Sequence, residues 1–284
     1  PKQQAAIKLD IVETSQLYSK VIVEGHHLNK SYGDKVIFED TDFIITNGAK
    51  VAFIGPNGCG KSTLLRMIMN QEAGTKIAPG AKIGYFSQDL SILDESLTIL
   101  ENVMPESMYD ETYARTLLAR LLFKREDVFK QVRVLSGGER VKVSLAKMLL
   151  KDINLLILDE PTNYLDLNSL DVVEEVLRNY DRTLLFVSHD RRLITAVANQ
   201  IMTVEKQKIK VFGGNYGDYL AQKNPAPHDE LGDVKKRIVV LENRLSEIIG
   251  RLSIPSKKDD PKALDEEYHE VLGELKRLKA KNFL

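Results

Sequence analysis

Apolar and polar positions change rhythm several times along the chain, and each rhythm predicts an element. Residues 1 to about 20 are polar and mixed, with Ile7, Leu9, Ile11 and Val12 in a short apolar alternation, and read as a tail or the end of a linker. Strands begin at Val21: Val21-Ile22-Val23, then Lys35-Val36-Ile37-Phe38, then Phe43-Ile44-Ile45. The last runs into Asn47-Gly48, a hairpin-turn dipeptide, and returns through Lys50-Val51-Ala52-Phe53-Ile54, so antiparallel pairing is predicted ahead of residue 55. Ala81-Lys82-Ile83-Gly84-Tyr85-Phe86 is a further strand, ending at Ser87-Gln88. Leu155-Leu156-Ile157-Leu158 and Thr183-Leu184-Leu185-Phe186-Val187 are apolar without a break, as in strands buried on both faces of a parallel sheet. Between these strands the period becomes helical: from Leu64, through Leu117, Leu118, Leu121 and Leu122 within 92–131, and at Val141, Leu145 and Met148. The fold class is therefore α/β.

Past Asn224-Pro225-Ala226-Pro227-His228 the spacing becomes heptad-like. Val234, Ile238, Leu241, Leu245, Ile248 and Leu252 form one seam; Leu264, Tyr268, Val271, Leu275 and Leu278 form a second. A polar turn around Pro255 to Pro261 joins them, which predicts an antiparallel helical hairpin over 229–284. From Asp229 onward twelve Lys and Arg meet twelve Asp and Glu, so the hairpin is not an electrostatic clamp for nucleic acid and reads equally as a docking or stabilising element or as an RNA contact.

Composition narrows the picture little. The 284 residues are 43% hydrophobic with a net charge of −1, which gives no global attraction to nucleic acid or membrane; such partners must come from local surface. No apolar run approaches a membrane span and no signal-peptide pattern opens the chain, so a cytoplasmic protein is expected. The single cysteine, Cys59, excludes an internal disulfide. Pro1 in place of methionine suggests a processed chain or an excised piece of something longer.

Chemistry concentrates at four places. Gly55-Pro56-Asn57-Gly58-Cys59-Gly60-Lys61-Ser62-Thr63 fits the phosphate-loop pattern, lying after a strand and opening a helix. Its glycines let backbone N–H groups curl toward a triphosphate at a helix N-terminus, Lys61 neutralises the β- and γ-phosphates, and Ser62 is placed to ligate Mg²⁺. Cys59 is either a small side chain at a variable loop position or a point of redox control. Ser136-Gly137-Gly138-Glu139 heads a helix; Ser136 is a good N-cap, and the stretch is also a second anion site. Asp159-Glu160 ends the apolar strand, where Asp159 can serve Mg²⁺ and Glu160 can take a proton from water. Ser188-His189-Asp190 follows the next, placing His189 to contact a γ-phosphate. Two further candidates have plain structural readings: Tyr32, which can stack on an adenine or pack on a sheet edge, and Gln88, which can reach the metal and the attacking water or simply be surface.

Together these motifs, over roughly residues 21 to 220, resemble the nucleotide-binding domain of ATP-binding-cassette proteins. The likeness implies a P-loop NTPase cassette with a parallel core sheet, an antiparallel β subdomain and a helical subdomain. It makes Tyr32 the adenine-stacking residue, Gly55 to Thr63 the Walker A loop, Gln88 the Q-loop glutamine and Leu135 to Glu139 the signature. Asp159 closes Walker B, Glu160 is the catalytic glutamate, Leu165-Asp166 the D-loop and His189 the switch histidine. Asp159-Glu160-Pro161-Thr162-Asn163-Tyr164-Leu165-Asp166 is similar to the form of the ABC-F branch, with Tyr164 where His is usual, and Asn215-Tyr216-Gly217-Asp218-Tyr219 resembles that branch's cassette ending. The resemblance implies Mg²⁺-dependent ATP hydrolysis, a second cassette whose signature completes the site, and action on the ribosome and its RNA in translation or antibiotic resistance. Residues 1–20 would then be a linker remnant, 21–222 the cassette of a C-terminal half, and 229–284 its extension. The competing implication is the ATPase subunit of a transporter; a DNA-repair role finds no basic tail.

Overall fold

The computed structural model describes residues 19–87, 92–223, 238, 240, 241, 244, 245, 248 and 261–281. The chain divides into two compact units, Pro1–Leu220 and Ala221–Leu284.

The first unit opens with two long strands, β1 (Val21–Tyr32) and β2 (Lys35–Thr46), joined at Gly33-Asp34. With β4 (Thr75–Ile77) they form an antiparallel sheet in the order β2-β1-β4. The two apolar runs expected as separate strands, 35–38 and 43–45, are one strand: Thr41 between them is buried and its hydroxyl accepts the Ile209 N–H at 2.7 Å.

The main sheet has the order β5-β6-β7-β3-β8-β9, with β3 (Lys50–Phe53), β5 (Ile83–Phe86), β6 (Leu155–Asp159), β7 (Thr183–Val187), β8 (Gln200–Glu205) and β9 (Lys208–Gly213). All its pairings are parallel except β8 with β9. This corrects the hairpin expected at Asn47-Gly48. β2 and β3 belong to different sheets, and the dipeptide instead anchors the crossing: the Gly48 N–H donates to Thr183 Oγ1 at 2.9 Å and that hydroxyl donates to Asn47 Oδ1 at 3.1 Å.

The unbroken apolar runs follow from burial on both faces. Leu155, Ile157 and Leu185 enter one core with Phe38, Ile45, Leu64 and Ile68, while Leu156, Leu158, Leu184 and Phe186 enter the other. The second core is roofed by α2 (Ile99–Val103), α3 (Glu111–Arg120), α4 (Gly137–Leu150), α5 (Leu167–Arg178) and α6 (Arg191–Val197). The leucine stripe of α3 holds only in part. Leu118 and Leu121 are buried, but the helix ends at Arg120 and Leu122 turns outward with φ 67.

In the second unit, α8 (Pro261–Lys281) presents Leu264, Val271 and Leu275 to Leu241 and Ile248, and Arg244 Nη2 pairs with Glu267 Oε1 at 2.6 Å. These contacts match the two expected seams; Val234, Leu252 and the joining turn lie outside the described residues. After β9 the chain forms α7 (Tyr216–Lys223). Among the described residues no helix is long and apolar enough to cross a membrane.

Candidate functional site

Parallel strands deliver their C-terminal ends to one edge, and a crevice there is where such sheets receive ligands. β3, β6 and β7 lie side by side, so the phosphate loop, Asp159-Glu160 and Ser188-His189 converge. A cavity of about 480 Å³ opens there. Tyr32, Asn57, Gly58, Gly60, Lys61, Ser62, Thr63, Asp159, Glu160 and His189 line it.

The loop between β3 and α1 (Lys61–Met69) is shaped by what glycine permits. Gly60 is the N-cap of α1 at φ 111, and a Cβ there would meet Ile37 Cγ2 at 2.6 Å and Phe38 Cζ at 2.8 Å. No side chain caps this helix, so its first N–H groups are left facing the crevice. Lys61 is 8% exposed and its ammonium donates to the Gly55 carbonyl at 2.9 Å and the Pro56 carbonyl at 3.2 Å. Cys59 is half-buried against Gly55, and its N–H donates to the Pro56 carbonyl at 3.3 Å.

Opposite stand two carboxyls. Burial holds Asp159 above the usual carboxylate range, against hydrogen bonds from Tyr85 and Ser62 and the nearby charges of Lys61 and Arg66. The Tyr85 hydroxyl donates at 3.4 Å. A half-buried carboxylate beside the Ser62 hydroxyl is a fitting donor pair for a hard divalent cation such as Mg²⁺. Glu160 is also pushed up, chiefly by burial, with His189 opposing and Asp159 adding to the rise. It sits at φ 51, a left-handed conformation costly for a glutamate, and its N–H donates to the Val187 carbonyl at 3.0 Å. His189 meets it twice: its backbone N–H lies 3.3 Å from Glu160 Oε2, and its Nε2 lies 3.5 Å from Oε1. A carboxyl raised toward neutrality and oriented by a histidine suits proton transfer. Tyr32 is 54% exposed at the cavity rim, with the Lys30 ammonium 5.7 Å from its ring centroid.

Ser136, Gly137 and Gly138 do not line this cavity. They open α4 with a completed capping box: Ser136 Oγ accepts the Glu139 N–H at 3.3 Å, and Glu139 Oε2 accepts the Ser136 N–H at 2.8 Å. Gly138 is required by close approach, since a Cβ would lie 2.8 Å from the Tyr164 carbonyl. The start of α4 thus rests on the backbone of Tyr164, which is at φ 68 and 70% exposed. Gln88 lies outside the described residues.

Sequence reasoning passed over two participants. Lys35 lines the cavity, its ammonium 3.5 Å from where a Gly58 Cβ would stand. Tyr85 bonds Asp159 because β5 runs parallel to β6 with Tyr85 opposite Ile157. The strand register, not any motif, was the available signal for Tyr85.

The ABC transporter family model matches residues 38–163. Among curated proteins, the ribosome protection protein VmlR of Bacillus subtilis is 33% identical over 271 residues, covering 94% of this chain and 48% of that protein. The energy-dependent translational throttle protein EttA of Escherichia coli is 38% identical over 208 residues, 70% of this chain and 38% of that one. ABC transporter F family member 5 of Arabidopsis thaliana is 33% identical over 242 residues, 81% of this chain and 34% of that one. The chain therefore spans half or less of the length of these relatives. A solved dimer of the ATP-binding cassette MJ0796, in a post-hydrolysis state with ADP and Pi, aligns with a TM-score of 0.56 and 21% identity. That match covers 68% of this chain and 98% of the other, and supports the fold. The chain thus carries an ABC transporter ATP-binding domain over residues 38–163, and the relatives it matches are proteins of the ABC-F family.

Proposed function

We propose that the chain is the ATP-hydrolysing cassette of an ABC-F protein that acts on the ribosome. The observation that carries the nucleotide reading is the convergence of Lys61, Ser62, Asp159, Glu160 and His189 with an exposed aromatic ring on one cavity. Tyr32 takes the adenine face, and the uncapped start of α1 takes the phosphates. Lys61 leaves the Gly55 and Pro56 carbonyls to meet the terminal phosphates. Ser62 and Asp159, with Gln88, would hold Mg²⁺, which supplies charge neutralisation on the phosphoryl oxygens. Glu160 accepts the proton of the attacking water, and His189 holds that carboxylate in place before contacting the γ-phosphate.

The capped Ser136-Gly137-Gly138 turn lies off the cavity, which supports a division of labour between two cassettes. A second copy or a sister cassette brings its own signature to the nucleotide held here. Residues 21–222 serve as the cassette and 229–284 as an extension, within a cytoplasmic protein. The ribosome as target rests on the relatives named for ribosome protection and translational throttling. Co-sedimentation with purified ribosomes in a non-hydrolysable ATP analogue tests it: pelleting that needs the analogue is expected, and a supernatant protein in both conditions sinks it. The family model's description as a transporter favours a second reading, a transporter ATPase subunit, which predicts partition into membranes instead.

A further inference from the structure

A surface remote from the nucleotide chemistry runs from α3 to the start of α4. Between Arg115 and Arg133 six cations stand against two acids, Glu126 and Asp127, in a chain whose net charge is −1. Near the middle Phe129 is 61% exposed, and Val134 beside the signature is 66% exposed. The Phe129 ring takes the Arg115 guanidinium at 5.0 Å from its centroid, and Glu111 Oε1 fixes that arginine at 2.7 Å. The ring is thus braced by Arg115 while most of its surface stays exposed.

The backbone beneath is tied down. Residues 95–99 and 130–133 bond to each other, with the Val132 N–H on the Leu97 carbonyl at 3.0 Å and the Ile99 N–H on the Lys130 carbonyl at 3.0 Å. Arg140 adds a bond to Glu95 Oε1 at 2.5 Å and another to the Arg133 carbonyl at 3.1 Å. Lys130 is neutralised by Asp127 at 2.7 Å. Lys124, Arg125 and Arg133 are exposed and, among the described residues, enter no ion pair.

An exposed aromatic ring flanked along the chain by exposed cations, on a backbone tied by hydrogen bonds, matches a particular ligand chemistry. Protein interfaces use aromatic rings and arginine but are depleted of lysine, whereas unstacked bases and their phosphates take all three. We propose that this surface contacts single-stranded or looped RNA, with a base stacked on Phe129 and phosphates met by Lys124, Arg125 and Arg133. The choice of RNA over DNA rests on the ribosome-directed reading above.

Fluorescence anisotropy of a labelled oligouridylate of about 12 nucleotides, titrated with the whole chain, tests it. Wild-type binding is expected to weaken with salt; Phe129→Ala weakens it about tenfold and Phe129→Trp restores it. Replacing Lys124, Arg125 and Arg133 together by Gln lowers the slope of log K against log salt by about 2. A fluorescent ATP analogue binds every variant as it binds wild type, which shows that the fold is kept. The proposal is overturned if the oligonucleotide does not bind, if the variants bind it as wild type does, or if polyglutamate competes as well as RNA. Ribosome pelleting with an oligonucleotide indifferent to Phe129→Ala removes this surface and leaves the wider reading. RNA binding lost with Phe129→Ala in a chain that does not pellet does the opposite.

Discussion

Two helices of this cassette begin with glycine-rich turns suited to anions, and they begin in opposite states. α1 starts at Gly60 with no side-chain cap, its N–H groups turned to a cavity; α4 starts at Ser136 with a box closed by Glu139. The same local device is open in one place and self-satisfied in the other. The uncapped start leaves its donors free for a ligand, whereas the closed box keeps a carboxylate in the place of an anion, as fits the proposed reading in which only a second cassette calls on it.

The sharpest test lies on the open side. Glu160→Gln is expected to cut ATP turnover by about 10² to 10⁴ while leaving nucleotide bound, in a phosphate-release assay set beside equilibrium binding. Undiminished turnover would remove the proton-accepting role. Next, Gly60→Ala forces a Cβ into Ile37 and Phe38 at a left-handed φ, a cost of about 2 to 4 kcal/mol visible in denaturant melts, with loss of ATP binding. An equally stable variant would mean the loop is not held as described. On the closed side Glu139→Ala should cost about 1 kcal/mol, roughly 2 to 4 °C in Tm, without touching nucleotide binding in the same chain. If it weakened that binding, the two turns would not be independent.

The smallest effect reads the buried charge. Because burial raises Glu160, its contribution to stability is complete below the ordinary carboxylate range and is lost as pH rises through the elevated value. The nucleotide-free Glu160→Gln variant should therefore melt with wild type near pH 4 and above it at pH 7. Parallel melting curves at both pH values would show that the carboxyl is not strained by its surroundings.

The residues that meet at the open site were legible because each part is carried by a local pattern: glycine spacing for the loop, an unbroken apolar run ending in Asp159-Glu160, another followed by His189. What escaped was set by pairing across the chain. Asn47-Gly48 has the composition of a hairpin, yet Thr183, far along the sequence, claims both residues and sends the next strand into another sheet. Tyr85 and Lys35 joined the site through strand register and a turn, which single-chain periodicity does not encode. Leu122 fitted the helical count but followed a helix that stops at Arg120.

The ammonium of Lys61 cross-braces the bend, bonded to the carbonyls of Gly55 and Pro56, and on the proposed reading it must vacate them to meet phosphate. Binding is thus an exchange of partners, and a measured affinity reports only the excess of the new bonds over the old. Removing that amine loosens the empty bend as well as the filled one, so its deletion would understate how tightly the lysine grips phosphate.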